Sequence, residues 1–486
     1  MRMAEPNPVR GGEWSGRQVL VVGMARSGLA VAQYLHRRGA RVVITDQRPA
    51  QELSREIRRL LEMGVAIETG GHGERSFQEA EIIVVSPGVP AQLPELEHAR
   101  SRGIPVWGEL ELATRGLPGR LAAITGSNGK TTTTSLTGHL LRGLGGKVLV
   151  GGNIGVPLIG LAEEADAETI TVAETSSFQL ETVRDFHAQA VAVLNLTPDH
   201  LDRHGTLEAY IAAKRKIFAN QTAADFAILN AEDAVCRDFA AATPARKFWF
   251  DASGAKVTAG MMRNTEAILW KPPGRAAAPL LTLDANPLRG RHNLENAMAA
   301  LAITAAMFFS DRQPGAEQRA RLATALRSFR AVEHRLEFVA RMEGVDYYND
   351  SKATNVDATL KALEAFAGGL WVILGGKDKN SDYRPLAEPL RQRARGVLLI
   401  GAAAEKIAQQ LEAAQIAVQR THTLARALAT AREQARPGET VLLAPACASF
   451  DQFQNYEHRG QIFKQIVREW EAAAGQSPQP DEPKAS

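Results

Sequence analysis

Four residues within a run of six, Gly126, Gly129, Lys130 and Thr131, are of the types that hold a polyphosphate. Leu121–Thr125 reads as a buried strand, Gly126-Ser-Asn-Gly-Lys130 as a tight loop, and Thr131–Leu144 as a helix closed by Gly145. In such a unit the loop N–H groups, those of Ser127 and Asn128 included, and the positive helix end aim at one spot, which favours an anion. Lys130 would neutralise the β and γ phosphates of ATP, and a hydroxyl at Thr131 or Thr132 would ligate Mg²⁺. The glycines let backbone approach the ligand without a Cβ in the way. The spacing is shorter than the common G-x-x-x-x-G-K-[ST] loop, because Ile124 stands where its first glycine would be. An ordinary glycine turn before a helix is the plain alternative, and the Lys-Thr-Thr at the helix start favours phosphate over it.

Two later strands offer ligands to the same region. Thr169–Ala173 delivers Glu174, and Ala190–Leu194 delivers Asn195 and then Thr197-Pro-Asp-His-Leu-Asp202. Open α/β sheets gather ligands at the carboxyl ends of their strands, so Glu174 and His200 are candidates to converge on the phosphate loop. Oxygen and imidazole donors there would suit Mg²⁺ or Mn²⁺. Each residue alone has an ordinary explanation. Glu174 could be a surface group or a cap, Asp199–Asp202 could cap the helix expected over Leu207–Phe218, and Lys214 could be a solvated lysine.

The elements that must position these groups alternate in type. Gln18–Val22 reads as a strand, Leu29–Arg38 as a helix closed by Gly39, Arg41–Thr45 as a strand, and Glu81–Val85 as another before the turn Ser86-Pro87-Gly88. Repeated β-α-β order implies an α/β fold of parallel sheets with helices on both faces. The 486 residues suggest about three domains at roughly 150 residues each. A Gly/Pro-containing stretch at Arg115–Gly119 marks one boundary. A second falls near Arg330–Glu333, before strands at Leu336–Val339 and Trp371–Leu374. The expected domains are thus 1–113, 114–331 and 332–486, with a tail from 472 onward too polar to pack. No internal repeat is visible.

Composition narrows the class. Apolar content of 45% and charged content of 23% are those of a soluble globular chain, and a net charge of only +3 argues against a dedicated nucleic-acid binder. Cys236 and Cys447 form no metal-ligand pair and fit a reducing compartment. Met1–Gly16 lacks the apolar stretch of a signal peptide. Ala297–Phe309 is too short to span a bilayer of about 30 Å. A cytoplasmic location without membrane insertion is expected.

A second glycine motif, Gly23-Met-Ala-Arg-Ser-Gly28, follows a strand and opens a helix, with Asp46 ending the next strand. It mimics a dinucleotide fingerprint but carries Ala25 where the middle glycine belongs, a weak basis for NAD(P). An oxidoreductase built on this segment and a nucleotide-binding regulator without catalysis are the competing classes. Nicotinamide binding would mark the first, and phosphate release only with both substrates present would exclude the second.

The separated motifs together resemble the Mur ligase family, over nearly the whole chain. They are Thr125-Gly-Ser-Asn-Gly-Lys-Thr-Thr132, Gly152-Asn-Ile-Gly155, Glu174-Thr-Ser-Ser-Phe-Gln179, Asp199-His-Leu-Asp-Arg203 with Lys214, and His292-Asn-Leu-Glu-Asn296. Glu333-His-Arg335, Asn349-Asp-Ser-Lys-Ala-Thr-Asn355, Leu374-Gly-Gly-Lys377 and Pro445-Ala-Cys-Ala-Ser449 complete the set. Asp350–Asn355 and Ala446–Ser449 resemble the branch that adds D-glutamate. The Asp-Asn-Pro-Arg motif of the diaminopimelate- or lysine-adding branches is missing, and the comparable region reads Gly375-Gly-Lys-Asp-Lys-Asn380.

The resemblance implies three domains: a Rossmann-like N-terminal domain, a central P-loop ATPase-like domain with a mostly parallel sheet, and a Rossmann-like C-terminal domain. It implies an ATP- and Mg²⁺-dependent amide ligase acting on UDP-N-acetylmuramoyl-L-alanine and D-glutamate, with a monomer expected. Gly126–Thr132 would hold the triphosphate, and Thr131, Glu174 and His200 would ligate metal. Lys214 matches a lysine that the family converts with CO₂ to a carbamate, an anionic ligand for a second metal. Asn293 and Asn296 would lie near adenine, with Arg335 and Asp350 at phosphate and ribose. Arg26, Ser27, Asp46, Ser86, Pro87, Gly88 and Asn153 would take the uridine nucleotide, although Gln47 replaces a hydroxyl residue expected beside Asp46. Lys352, Thr354, Lys379, Ser449 and Tyr456 would receive the incoming dicarboxylate, with Lys377 the rival of Lys379.

Overall fold

The computed structural model describes residues 14–288, 290–330 and 333–475, so part of the boundary expected at Arg330–Glu333 lies outside them. The strands form three sheets of five, nine and six. The chain parts into two compact units. The first takes the chain up to Leu196 with Thr206–Pro287 and Leu294–Phe329, and the second takes Thr197–Gly205, Leu288–Asn293 and the chain from Arg330.

In the first unit the five-stranded sheet runs Ala66–Thr69, Arg41–Asp46, Gln18–Val22, Ile82–Val85, Val106–Gly108, all parallel. Residues Val19–Val22 and Ile82–Val85 are buried on both faces, as uninterrupted aliphatic runs require in a parallel sheet. From Gln18–Val22 the chain leaves to one side and returns on the other at Ile82–Val85. The turns at Gly23 and Ser86 therefore flank a switch point, where α/β sheets bind ligands.

The nine-stranded sheet runs Ala278–Thr282, Ala267–Lys271, Gly260–Arg263, Arg246–Asp251, Phe226–Asn230, Ala190–Val193, Arg120–Thr125, Ile170–Glu174, Val148–Gly152. It is parallel except for two antiparallel pairings at the Ala278–Thr282 edge. Those edge strands, of four or five residues each, have no counterpart in the sequence expectation. Register aligns Ile124 and Gly152 with Glu174, and Thr125 with Val193. The carboxyl ends of four neighbouring strands thus end within a residue of one another. The helix after the phosphate loop spans Lys130–Gly143. The one expected over 207–218 ends at Arg215 and tightens into a 3₁₀ turn, Lys216–Phe218.

The two sheets of this unit share one core, running from Val21, Val31 and Leu35 through Leu110, Leu112 and Leu158 to Val191 and Tyr210. The helix Glu109–Gly116 lies in that core and carries two buried carboxylates. Glu111 accepts from Arg184 N and Asp185 N and from Arg115 Nε at 2.9 Å. Glu109 Oε1 accepts from Ile159 N at 2.8 Å, while Oε2 has no partner among the described residues.

The six-stranded sheet of the second unit runs Glu337–Met342, Val345–Asn349, Thr440–Leu443, Leu370–Gly375, Ala394–Ile400, Gln419–His422, with only the first pair antiparallel. Apolar clusters cover both faces. The helix Tyr456–Gly475 carries the chain past Ala472, where the sequence suggests disorder, and 476–486 lie outside the described residues. No helix among the described residues is long and apolar enough to cross a membrane.

Burial pushes the Glu109 carboxyl up to about 6 from an ordinary 4.5, against the pull of the Ile159 N–H, the Gln179 side chain and the Leu158 N–H. The folded state therefore favours the protonated acid. The stability this contributes is complete below the unfolded value and is lost as pH rises through about 6. Glu109→Gln, neutral at every pH, should gain about 2 kcal/mol relative to the parent between pH 4 and pH 8 in urea unfolding. A difference that does not change with pH would contradict this assignment.

Candidate active site

The phosphate loop is shaped by contacts from the next strand over. Ser127 N donates to Asn195 O at 2.9 Å and Asn128 N to Asn195 Oδ1 at 2.8 Å, while Asn195 Nδ2 returns a bond to Asn128 O at 3.1 Å. Gly129 begins the helix at φ 83°, and a Cβ there would overlap Asn296 Oδ1, so glycine is required twice over. Asn296 also accepts from Thr133 Oγ1 at 3.3 Å, which ties this buried amide to the first turn of the helix. Lys130 Nζ donates to Gly126 O and Ser127 O, each at 2.8 Å, so the ammonium rests over the loop that would cradle phosphate. Thr132 Oγ1 is buried with no partner among the described residues.

Glu174, 2% exposed, stands at the end of its strand beside this loop. Its Oε2 accepts from Thr131 Oγ1 at 2.7 Å and its Oε1 from Asn153 Nδ2 at 2.8 Å. A buried carboxylate and a hydroxyl at a helix N-terminus form an oxygen donor set that suits a hard divalent cation. Lys214 is fully buried, with Nζ 2.9 Å from Gly126 O, 3.1 Å from Thr125 Oγ1 and 4.9 Å from the centre of the Tyr210 ring. The Tyr210 hydroxyl lies 2.9 Å from Ser127 Oγ. The structure thus gathers Lys130, Thr131, Glu174 and Lys214 about one loop. Asn153, expected at the uridine nucleotide, contacts Glu174.

At the switch point of the five-stranded sheet, Met24 N donates to Asp46 Oδ2 at 2.7 Å and Ser86 Oγ to Gly23 O at 2.9 Å. A Cβ on Gly28 would collide with Gly23 O, so this motif glycine serves close packing of helix on strand. Arg48 clasps Asp46 through Nε at 3.0 Å and a terminal nitrogen at 2.8 Å. Burial alone would raise the Asp46 carboxyl, but the Arg48 side chain and the Met24 and Arg48 N–H groups outweigh it and hold it at about 2. Asp46 is thereby committed to protein partners, and the half-exposed Arg48, absent from the sequence expectation, presents the charge. Arg26 is exposed and donates to Gly155 O at 2.5 Å, Ser27 is half-buried beside it, and Pro87 and Gly88 follow Ser86 on the open side.

The second unit holds the remaining residues. His200, at φ 55°, begins the short helix Leu201–His204, and its N–H donates to Asp199 Oδ1 at 2.9 Å. Asp199 also receives Asn355 Nδ2 at 2.9 Å and Lys379 Nζ at 3.2 Å. Lys379 is the lysine drawn in, while Lys377 is exposed and joins the Ala448 backbone. Lys352 Nζ lies 3.2 Å from the Tyr456 hydroxyl, and Thr354 N donates to Lys352 O at 2.8 Å. The fully buried Arg459 donates to Ser351 O, Ser351 Oγ and Cys447 O, binding together the loops that carry Lys352 and Ser449. Burial lowers its pKa to about 10.

Asp350 is buried and accepts from Leu336 N at 3.2 Å. Burial pushes it up to about 6, against the pull of Arg335, Leu336 N–H and Lys352. Arg335 Nε is buried with no partner among the described residues. Asn293 is buried, its N–H donating to Gly290 O at 3.1 Å. Glu333, His334 and Glu337 lie close enough to hold a metal, but the Lys464 ammonium bonds to both carboxylates and supplies the positive charge.

Asn195 is the residue whose role in the phosphate loop sequence did not reveal, since an Asn at a strand end gives no local signal. Asn195→Ala should weaken binding of a nucleoside triphosphate by about tenfold in calorimetry, the order expected for losing paired backbone contacts. Unchanged affinity would remove it from the loop's design.

Three family models match in order: the Mur ligase MurD-like N-terminal domain over residues 17–108, the Mur ligase middle domain over 124–304, and the Mur ligase glutamate ligase domain over 334–447. The UDP-N-acetylmuramoylalanine–D-glutamate ligase of Solibacter usitatus is 53% identical, over 93% of this chain and 98% of that one. Its counterpart in Acidobacterium capsulatum is 50% identical, over 95% and 98%. Among solved structures, UDP-N-acetylmuramate-alanine ligase of Thermotoga maritima matches with a TM-score of 0.58 at 18% identity, over 94% of this chain and 99% of that one. A pseudomurein peptide ligase type C of Methanothermus fervidus matches at 0.55 and 16%, over 93% and 100%. Those two share the fold. With all three domain models matched in sequence and relatives half identical over nearly the full length, the chain belongs to the Mur ligase family.

Proposed function

We propose that this chain joins D-glutamate to UDP-N-acetylmuramoyl-L-alanine using ATP, in synthesis of the peptidoglycan precursor. The observation that carries the reading is about half identity, nearly end to end, to ligases of that name. The gathering of Lys130, Thr131, Glu174 and Lys214 about a glycine loop supports the ATP half of it.

A carboxylate does not condense with an amine in water, because its oxygen is a poor leaving group. An oxygen of the L-alanyl carboxylate attacks the γ-phosphorus of ATP, and the bond to ADP breaks, giving an acyl phosphate. The D-glutamate nitrogen attacks the acyl carbon and loses a proton, and inorganic phosphate leaves the tetrahedral intermediate. Lys130 would exchange its two carbonyl acceptors for phosphate oxygens and spread the charge of the transferred group. Thr131 and Glu174 would hold Mg²⁺, which supplies further charge neutralisation when bound.

Lys214 is proposed as a carbamate. The ammonium first gives up a proton to the medium. The neutral amine then adds to the carbon of CO₂, an N–C bond forming as one C=O π pair moves to oxygen, and a second proton leaves the nitrogen, so that a buried cation becomes an anion able to ligate metal. To residues of the second unit we assign His200 for metal ligation, Arg335 and Asp350 for the nucleotide, and Lys352, Thr354, Lys379, Ser449 and Tyr456 for D-glutamate. Arg26, Ser27, Ser86 and their neighbours are assigned to the uridine nucleotide. A monomer in the cytoplasm completes the proposal.

ADP release with UDP-N-acetylmuramoyl-L-alanine should be stimulated by D-glutamate and not by L-glutamate, L-alanine, L-lysine or diaminopimelate. Stimulation by another amino acid instead would overturn the substrate assignment. Lys130→Ala should abolish amide formation while leaving UDP-substrate binding nearly intact. Lys214→Ala should be strongly impaired and recover in part with short-chain carboxylic acids in solution, and full activity without them would remove Lys214 from the mechanism.

A further inference from the structure

Two loops of the second unit carry Lys379 and Ser449, and they are joined twice. On the backbone, Lys377 N donates to Ala448 O at 2.8 Å and Ala448 N to Lys377 O at 3.1 Å. Beneath that bridge lies Tyr383, wholly buried, with its hydroxyl 2.7 Å from Asp378 Oδ1 and 3.0 Å from Cys447 Sγ. A phenol has one proton. Given to the Asp378 carboxylate, it leaves the phenol oxygen to accept from the Cys447 thiol, so the order is Cys447 S–H to Tyr383 O–H to Asp378. The thiol is neutral, as a donor must be, because burial pushes it up to about 12.

Asp378 is held from other directions as well. Lys406 Nζ reaches Oδ2 at 2.6 Å and Ser381 N reaches Oδ1 at 3.0 Å, while Tyr383 N donates to Gln410 Oε1 at 2.7 Å on the helix that bears Lys406. Packing alone would be served by phenylalanine at 383, since a buried hydroxyl is costly unless bonded. Here both neighbours of the hydroxyl stand beside groups assigned to the incoming amino acid. Asp378 precedes Lys379, and Cys447 is two residues before Ser449.

We infer that Tyr383, with Asp378 and Cys447 at its hydroxyl, sets the spacing between Lys379 and Ser449 and so acts as a positioning residue for the carboxylates of the incoming amino acid. This rests on the assignment of Lys379 and Ser449 to D-glutamate. The phenol touches no substrate. It ties together the two loops that carry Lys379 and Ser449, and Asp199 holds the tip of Lys379 at 3.2 Å.

Steady-state kinetics of the full chain test it. Tyr383→Phe should raise KM for D-glutamate about tenfold, while kcat and the KM values for ATP and the UDP-substrate stay within about twofold. Cys447→Ser keeps a donor and should hold KM for D-glutamate near the parent value, whereas Cys447→Ala should raise it. A D-glutamate KM within twofold of the parent in Tyr383→Phe, or an equal rise in all three KM values, would overturn the inference. Should Tyr383→Phe fail to fold, Asp378→Ala, which removes the acceptor of the Tyr383 hydroxyl, is read in the same way. D-glutamate-stimulated ADP release by the unmodified chain separately checks the functional reading, so failure of one is distinguishable from failure of the other.

Discussion

A carboxylate taken out of water at the end of a central strand persists only with its oxygens hydrogen-bonded, and Glu174 imposes that condition on the middle of the first unit. One oxygen requires the Thr131 hydroxyl and so fixes where the helix after the phosphate loop begins. The other requires the Asn153 amide and so fixes the turn after Gly152. Both bonds depend on strand register, with Ile124 and Gly152 each paired to Glu174. A slip of one residue would turn Glu174 to the opposite face and break both at once. The neighbouring strand then supplies Asn195, which grips the loop from the other side.

Local features made much of this visible in the sequence. The apolar runs within 18–22, 121–125 and 190–194 fall on strands, the last ending at Val193, because a short aliphatic run between helices is buried most readily in a parallel sheet, and the glycine-lysine-threonine run lies at a loop and helix start. The edge strands Gly260–Arg263, Ala267–Lys271 and Ala278–Thr282 were not legible, being short, interrupted by Pro279 and lacking regular alternation. Side-chain partners far apart in sequence were hidden for a different reason. Nothing near Asn195 announces Asn128, and nothing near Tyr383 announces Cys447, since each pairing exists only once the sheet has formed. Arg48 lies two residues from Asp46 yet carries no signal in the sequence, because a charged residue after a strand is commonplace and only its geometry sets it apart.

Two buried ionisable groups, Glu174 in the first unit and Arg459 in the second, are satisfied in opposite ways. Around Glu174 the acceptors are its two carboxyl oxygens and the donors are the neutral side chains of Thr131 and Asn153. Around Arg459 the donor is charged, and its acceptors include the carbonyls of Ser351 and Cys447. A guanidinium bonded to backbone fixes chain path rather than side-chain rotamer, which suits a region where several loops must hold shape. Replacing such an ion leaves carbonyls without partners, the costly side of the hydrogen-bond balance.

Asp199 belongs to a nine-residue segment, Thr197–Gly205, that counts with the second unit although sheet strands of the first unit precede and follow it. Two of its side-chain partners, Asn355 and Lys379, come 156 and 180 residues later. During synthesis the strands on either side of this segment can pair long before those partners leave the ribosome. The left-handed turn at His200 must then wait for those two bonds until about the last quarter of the chain is made. Nor can the second unit be excised as one contiguous piece: a fragment starting at Arg330 would lack the carboxylate that binds Asn355 and Lys379.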